Sequence, residues 1–104
     1  MQLEYPNIFD VVVEDKAVAS DLQTRSDLMI AIRDIIATKQ WSQTEAAKHM
    51  GLTQPRVSDL VNGRIDKFSI DKLMNCLYLI GFRFKPIFEN NQLTMIVEPV
   101  QINV

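Results

Sequence analysis

Between Gln43 and Lys67 the chain carries a cluster of side chains able to hydrogen-bond nucleic acid. The amide of Gln54 can pair bidentately with adenine N6 and N7, and the guanidinium of Arg56 suits guanine O6 and N7 or, failing that, a phosphate. Ser58 and Asp59 lie one turn deeper, and the Asp59 carboxylate can accept from cytosine N4 or pair with Arg56 and orient it. Pro55 removes flexibility and can touch a thymine methyl. These five residues are the candidate base readers. Thr44, Thr53, Asn62, Arg64 and Lys67 are candidate phosphate contacts, which fix register without reading sequence. Each has a local alternative: Thr53 caps a helix, Asn62 ends one, and Arg64 and Lys67 can be solvated cations.

Two short helices must hold these groups. In the run WSQTEAAKHMGLTQPRVSDLVNGR, Trp41 to Arg64, Ser42 and Glu45 have the S-x-x-E spacing of a capping box. Ala46, Ala47 and Met50 form an apolar face, and Gly51 stands where a left-handed helix terminus favours glycine. Leu52 fills the corner, Thr53 caps the second helix, and Pro55 is tolerated in its first turn. Val57, Leu60 and Val61 fall at i, i+3, i+4, a single buried stripe. The spacing is that of a helix-turn-helix whose second helix enters the major groove by its N-terminal end.

At these residues, SQTEAAKHMGLTQPRVSDLVNGR resembles the helix-turn-helix of the lambda-repressor/Cro, or XRE-type, family. The following FSIDKLMNCLYLIGF resembles a branch containing HigA-type antitoxins and small autorepressors, and the likeness spans roughly residues 20 to 85. The resemblance implies a mainly α fold, a lambda-repressor-like bundle of four to five helices, and the residue pattern after it adds a C-terminal β-hairpin. It also implies that Gln43 bonds a phosphate and braces Gln54. A base-reading role at the position of Asp59 is implied too, although an acid there departs from the family pattern.

The domain plan is an N-terminal arm over 1–15, the DNA-binding unit over 16–81 and the hairpin over 82–104. In the arm, Asn7 can cap a short helix through Ile8, Phe9 and Val12. From about Lys16 to Thr38 the pattern is helical, with Leu22, Leu28, Met29, Ile32, Ile35 and Ile36 inward and Arg25, Asp27, Arg33 and Asp34 outward. Ser69 caps a further helix whose inward stripe is Ile70, Leu73, Met74, Leu77 and Ile80. Then the period changes to two: Phe82, Phe84 and Phe88 alternate with Arg83, Lys85 and Ile87, and Asn90-Asn91 suits a tight hairpin turn before a return strand from Leu93 to Val104. Pro86 and Pro99 belong at edges, bulges or strand ends. An isolated hairpin is marginal in water, and this one is read as apolar on both faces. Phe82, Phe84, Phe88, Met95 and Val97 are therefore the candidate dimerisation residues, two hairpins merging into a four-stranded sheet about a twofold axis. Packing on the hairpin's own domain and acceptance of another protein's strand are the alternatives.

The formal net charge of -2 conceals a split. Residues 1 to 34 hold seven acids against three bases, and residues 35 to 67 hold five bases against three acids. Positive charge is needed only on the docking face. Its mildness predicts weak binding by a monomer and therefore a homodimer on a palindromic, two-part site. The acidic lead, or the hairpin, would face a basic partner.

Apolar content of 47% with 23% charged residues is ordinary globular composition. No apolar run approaches a membrane span and no secretory signal is visible, so a cytoplasmic location is expected. Cys76 is the lone cysteine and His49 the lone histidine, so no metal set and no catalytic constellation is expected, and no cofactor. The leading expectation is a sequence-specific DNA-binding repressor. The resemblance sharpens it to the antitoxin of a type II pair, binding a RelE/HigB-like toxin and repressing their shared operon. A stand-alone, phage-type regulator and a protein-interaction module whose helix-turn-helix no longer reads DNA are the competing readings.

Overall fold

The computed structural model describes residues 8–100, with side chains described from residue 16 onward. The Asn7 cap and the last residues of the return strand, 101–104, lie outside the described residues. The order is α1 (Ile8–Lys39), α2 (Gln43–Met50), α3 (Gln54–Val61), a 3-10 turn (Ile65–Lys67), α4 (Ile70–Leu79), β1 (Phe82–Glu89) and β2 (Gln92–Pro99). A four-helix bundle with a C-terminal hairpin is the expected fold class.

The short separate helix expected before Lys16 is instead the beginning of α1, whose backbone runs unbroken from Ile8. The helix ends at Gln40, which takes a left-handed φ of 58° while the Trp41 N–H donates to Ile36 O at 3.1 Å. That closing bond spans the last turn and satisfies a carbonyl the helix cannot. Each following helix starts on a hydroxyl cap: Ser42 for α2, Thr53 for α3 and Ser69 for α4. The Ser42–Glu45 capping box forms in both directions, at 3.1 Å and 2.9 Å. Gly51, at φ 65°, turns the chain from α2 toward α3, a conformation that costs a residue with a Cβ about 1–2 kcal/mol.

The core lies where α1, α2, α3 and α4 meet. Ile32, Met50, Val57, Leu60, Leu73 and Cys76 are fully buried, and Phe68 reaches in from the loop after the 3-10 turn. Burial of several such side chains, about 1.5–3 kcal/mol each, fixes the angle between α2 and α3. Two expected core members lie elsewhere. Leu22 and Met74 are exposed, because the buried arcs of α1 and α4 are narrower than the apolar pattern. On α4 the buried set is Leu73, Cys76 and Leu77, and Met74 falls to the side.

The hairpin closes through Asn90 and Asn91, at φ 50° and 63°, both left-handed as the two-residue turn requires. Its register pairs Glu89 with Gln92, Phe88 with Leu93, Pro86 with Met95, Phe84 with Val97 and Phe82 with Pro99. Directly opposed residues share a face. One face is therefore wholly apolar: Phe82, Phe84, Pro86, Phe88, Leu93, Met95, Val97 and Pro99. The other carries Arg83, Lys85, Glu89, Gln92, Thr94 and Glu98, with Ile87 and Ile96 as its apolar members. This corrects the expectation of two apolar faces. Phe84 packs against the core, and with Thr24, Leu28, Met74 and Met95 it lines an open apolar groove of about 170 Å³. Phe88 and Leu93 remain 67% and 68% exposed. Among the described residues no helix is long and apolar enough to cross a membrane.

Candidate nucleic-acid interface

The two short helices bring most of the candidate residues to one surface. Thr53, Gln54 and Pro55 stand exposed at the start of α3, while Arg56, Ser58 and Asp59 are half-buried along it. Gln43 and Thr44 are exposed in the first turn of α2, and Asn62, Arg64 and Lys67 are exposed beyond the far end of α3. The tight Gly51–Thr53 corner sets the first turns of the two helices side by side.

Gln54 is braced, but by a different residue from the one implied. Its Nε2 donates to Thr44 Oγ1 across the corner, and no hydrogen bond joins it to Gln43 in the structure. The brace uses one of the two amide hydrogens. The second hydrogen and Oε1 remain, the pair a bidentate contact to adenine needs. The orientation of the amide is thus set by the first helix before any ligand arrives, which lowers the entropy lost on binding.

Arg56 departs from expectation. Its side chain turns back toward the loop after α3: Nη1 donates to Lys67 O at 3.0 Å, and the guanidinium lies 4.3 Å from the centroid of the Phe68 ring. Asp59 does not orient it; the Asp59 carboxylate instead sits 3.5 Å from Nε of Arg64. Ser58 accepts from Asn62 Nδ2 at 3.3 Å, so this asparagine also steadies the last turn of α3.

Two further arginines share the work of Arg56. Arg33 on α1 donates to Val61 O at 3.4 Å, and Arg25 donates to Ile65 O at 3.0 Å and Phe68 O at 3.4 Å. In the segment from Val61 to Phe68 the carbonyls of Gly63, Arg64 and Ile65 are met by local N–H groups, while those of Val61, Lys67 and Phe68 take side-chain donors from outside it. Three guanidiniums supply them and hold the segment that carries Arg64 and Lys67. Helical spacing alone puts Arg25 and Arg33 on the outward side of α1 and names no partner for them. The available signal is a turn-rich segment beside a helix bearing arginines.

His49, at the end of α2, stacks on Trp41 with ring centroids 4.0 Å apart and 13° between planes. The Ser42 backbone N–H, followed by its hydroxyl, holds the Glu45 carboxyl below its ordinary range. Burial pushes the Cys76 thiol up. Among the described residues no group of three or more His, Cys, Asp and Glu side chains is placed to hold a metal ion.

A family profile described as a helix-turn-helix domain matches residues 12–85, which spans the whole of this surface and its support. No curated protein matches the sequence. A solved structure carrying the provisional description XRE family transcriptional regulator is 35% identical, with a TM-score of 0.58 over 60% of this chain and 70% of its own. The matched region and the geometry of α2 and α3 agree, and the chain belongs to the XRE-type helix-turn-helix domain family.

Proposed function

We propose that the chain is a double-stranded-DNA-binding transcriptional regulator, a sequence-specific repressor that acts as a homodimer on a palindromic operator. Residues 16–81 form the reading unit and residues 82–104 the pairing unit. The observation that carries the reading is Gln54, exposed at the N-terminal end of α3 and held by Thr44 through one amide hydrogen, with the other hydrogen and Oε1 left to pair. Base reading falls to Gln54, Pro55 and Ser58, with Asp59 available beside Arg64. Gln43, Thr44, Thr53, Asn62, Arg64 and Lys67 flank them as phosphate contacts. Arg56 reaches a base only by giving up the Lys67 carbonyl and the Phe68 ring, so its first task is to hold the loop.

The test is fluorescence anisotropy of the chain against DNA from upstream of its own coding region, at several salt concentrations. A reader loses affinity as a power of salt, with an exponent of about 0.9 for each phosphate neutralised. Absence of any salt-dependent binding to that DNA would leave a protein-interaction module as the better account.

Within this reading, the finer role is the antitoxin of a type II pair that autoregulates its operon and binds a RelE/HigB-like toxin. Support comes from the resemblance of FSIDKLMNCLYLIGF to that branch and from the acidic first third of the chain, which suits a basic partner. Co-expression with the product of an adjacent small basic reading frame tests it. Rescue of growth supports the antitoxin, and a toxin unaffected by the chain points to a stand-alone regulator.

A further inference from the structure

We propose that a second copy of this chain pairs along the outer edge of β2, not β1, so that two hairpins form one sheet in the order β1-β2-β2-β1. This inference rests on the reading of the chain as a homodimer and names the strand that joins the copies.

The ladder decides which backbone groups are free. The Val100 N–H donates to Gly81 O at 2.8 Å, which continues the strand pairing of Arg83 with Glu98 and Glu89 with Gln92. In antiparallel pairs, hydrogen-bonded and non-hydrogen-bonded positions alternate. The inward-bonding residues are thus Arg83, Lys85, Ile87 and Glu89 on β1, with Gln92, Thr94, Ile96 and Glu98 on β2. Phe82, Phe84, Pro86 and Phe88 direct their main-chain groups to the outer edge of β1. Leu93, Met95, Val97 and Pro99 do so on β2.

The two edges are not equivalent. Pro86 lies in the middle of the outward set on β1 and has no N–H, so a strand docking there meets a missing donor at its centre. On β2 the outward donors of Leu93, Met95 and Val97 are consecutive, and the proline falls at the end. The β2 edge is also self-complementary. With Met95 on the twofold axis, Leu93 lies opposite the partner subunit's Val97, and Thr94 opposite the partner subunit's Ile96. Glu98 then faces the partner subunit's Gln92, so no like charges are opposed. The apolar faces of the two hairpins become continuous on one side of the sheet. A second copy is the occupant because, in that register, apolar residues meet apolar residues along one face and the single acid of the strand meets an amide.

Amide hydrogen exchange on the wild-type chain, beside sedimentation, tests the assignment. Leu93, Met95 and Val97 are expected to exchange at least about tenfold more slowly than Phe88, whose N–H points from the other edge. Met95→Pro removes one outward donor while leaving the β1–β2 ladder intact, and is expected to give a monomer. Met95→Thr keeps that donor and is expected to stay dimeric. A dimer in which the three amides exchange as fast as Phe88, or a Met95→Pro chain that remains dimeric, overturns the proposal while leaving the dimeric regulator standing. A wild-type monomer at micromolar concentration overturns both. Should Met95→Pro fail to fold, wild-type exchange decides alone.

Discussion

Replacing Gln54 by alanine separates reading from folding, and the structure sets the size of each effect. In the unbound chain the side chain is exposed and makes one hydrogen bond, to Thr44. Loss of an exposed bond of this kind lies at or below the ~0.5–1.5 kcal/mol net value of an intramolecular hydrogen bond, so the melting temperature should move little. On DNA, a bidentate amide–adenine pair contributes about 1–3 kcal/mol of discrimination, which is roughly 5- to 150-fold in Kd. The loss should be confined to sites that keep the preferred base pair. Operators already changed at that position should bind the variant and the parent alike. The slope of log K against log salt should stay fixed, since no phosphate contact is removed. Thr44→Ala should weaken binding more in the parent than in the Gln54→Ala background, the difference being the part of its effect that passes through the amide, which a double-mutant cycle reads directly. Anisotropy titrations on the operator and its single-base variants, with urea melts alongside, supply every number. Equal weakening on all sequences, or an altered salt slope, would refute the assignment of Gln54 to a base.

Arg56→Ala should lower stability by about 1–2 kcal/mol, given one charged hydrogen bond and one guanidinium–ring contact at a half-buried site. Thermal melts should show a fall of about 4–8 °C for each kcal/mol, and Arg56→Lys should lose less. Glu45, held below its ordinary carboxyl range by Ser42, adds stability that is present above the unfolded value of 4.5 and lost as pH falls through the lower folded value. Glu45→Gln should flatten that limb of a stability–pH curve and leave the neutral region nearly level. The buried Cys76 thiol has its folded value raised above 9.0, so its contribution is present below that pH and lost as pH rises through the folded value. Thiol reagents at pH 8 should label it only as fast as the chain opens, and labelling of the native protein on mixing would contradict this.

Features set by neighbours in sequence were legible in advance. The Ser42–Glu45 box, the Thr53 and Ser69 caps, Gly51 and the Asn90-Asn91 turn each rest on chemistry contained within a few residues, and each is present. The expected exposed start of α3, at Thr53, Gln54 and Pro55, follows from the same local logic. Illegible features depend on what lies across the fold. Helix spacing directs Arg56 away from the axis, but the Phe68 ring and Lys67 carbonyl that capture it come from a later segment. The brace on Gln54 passed to Thr44 because the corner angle, fixed by core packing, selects which side chain of α2 is nearest. Gln40 ends α1 in a left-handed conformation without the glycine that would have announced it. In the hairpin, Ile87 and Ile96 concealed a clear alternation; once the turn fixes the register, every other apolar residue of the strands falls on one side.

The three loop-bracing arginines have a consequence for how such a regulator would search a chromosome. Arg25, Arg33 and Arg56 are occupied by main-chain carbonyls. The exposed cations just beyond α3 are then Arg64 and Lys67, with Arg64 partly offset by Asp59. Adhesion to arbitrary duplex scales with the cations that displace counterions, so visits to unrelated sequence would be brief. Little of the cellular pool would be tied up on bulk chromosome. Operator occupancy would then follow copy number closely.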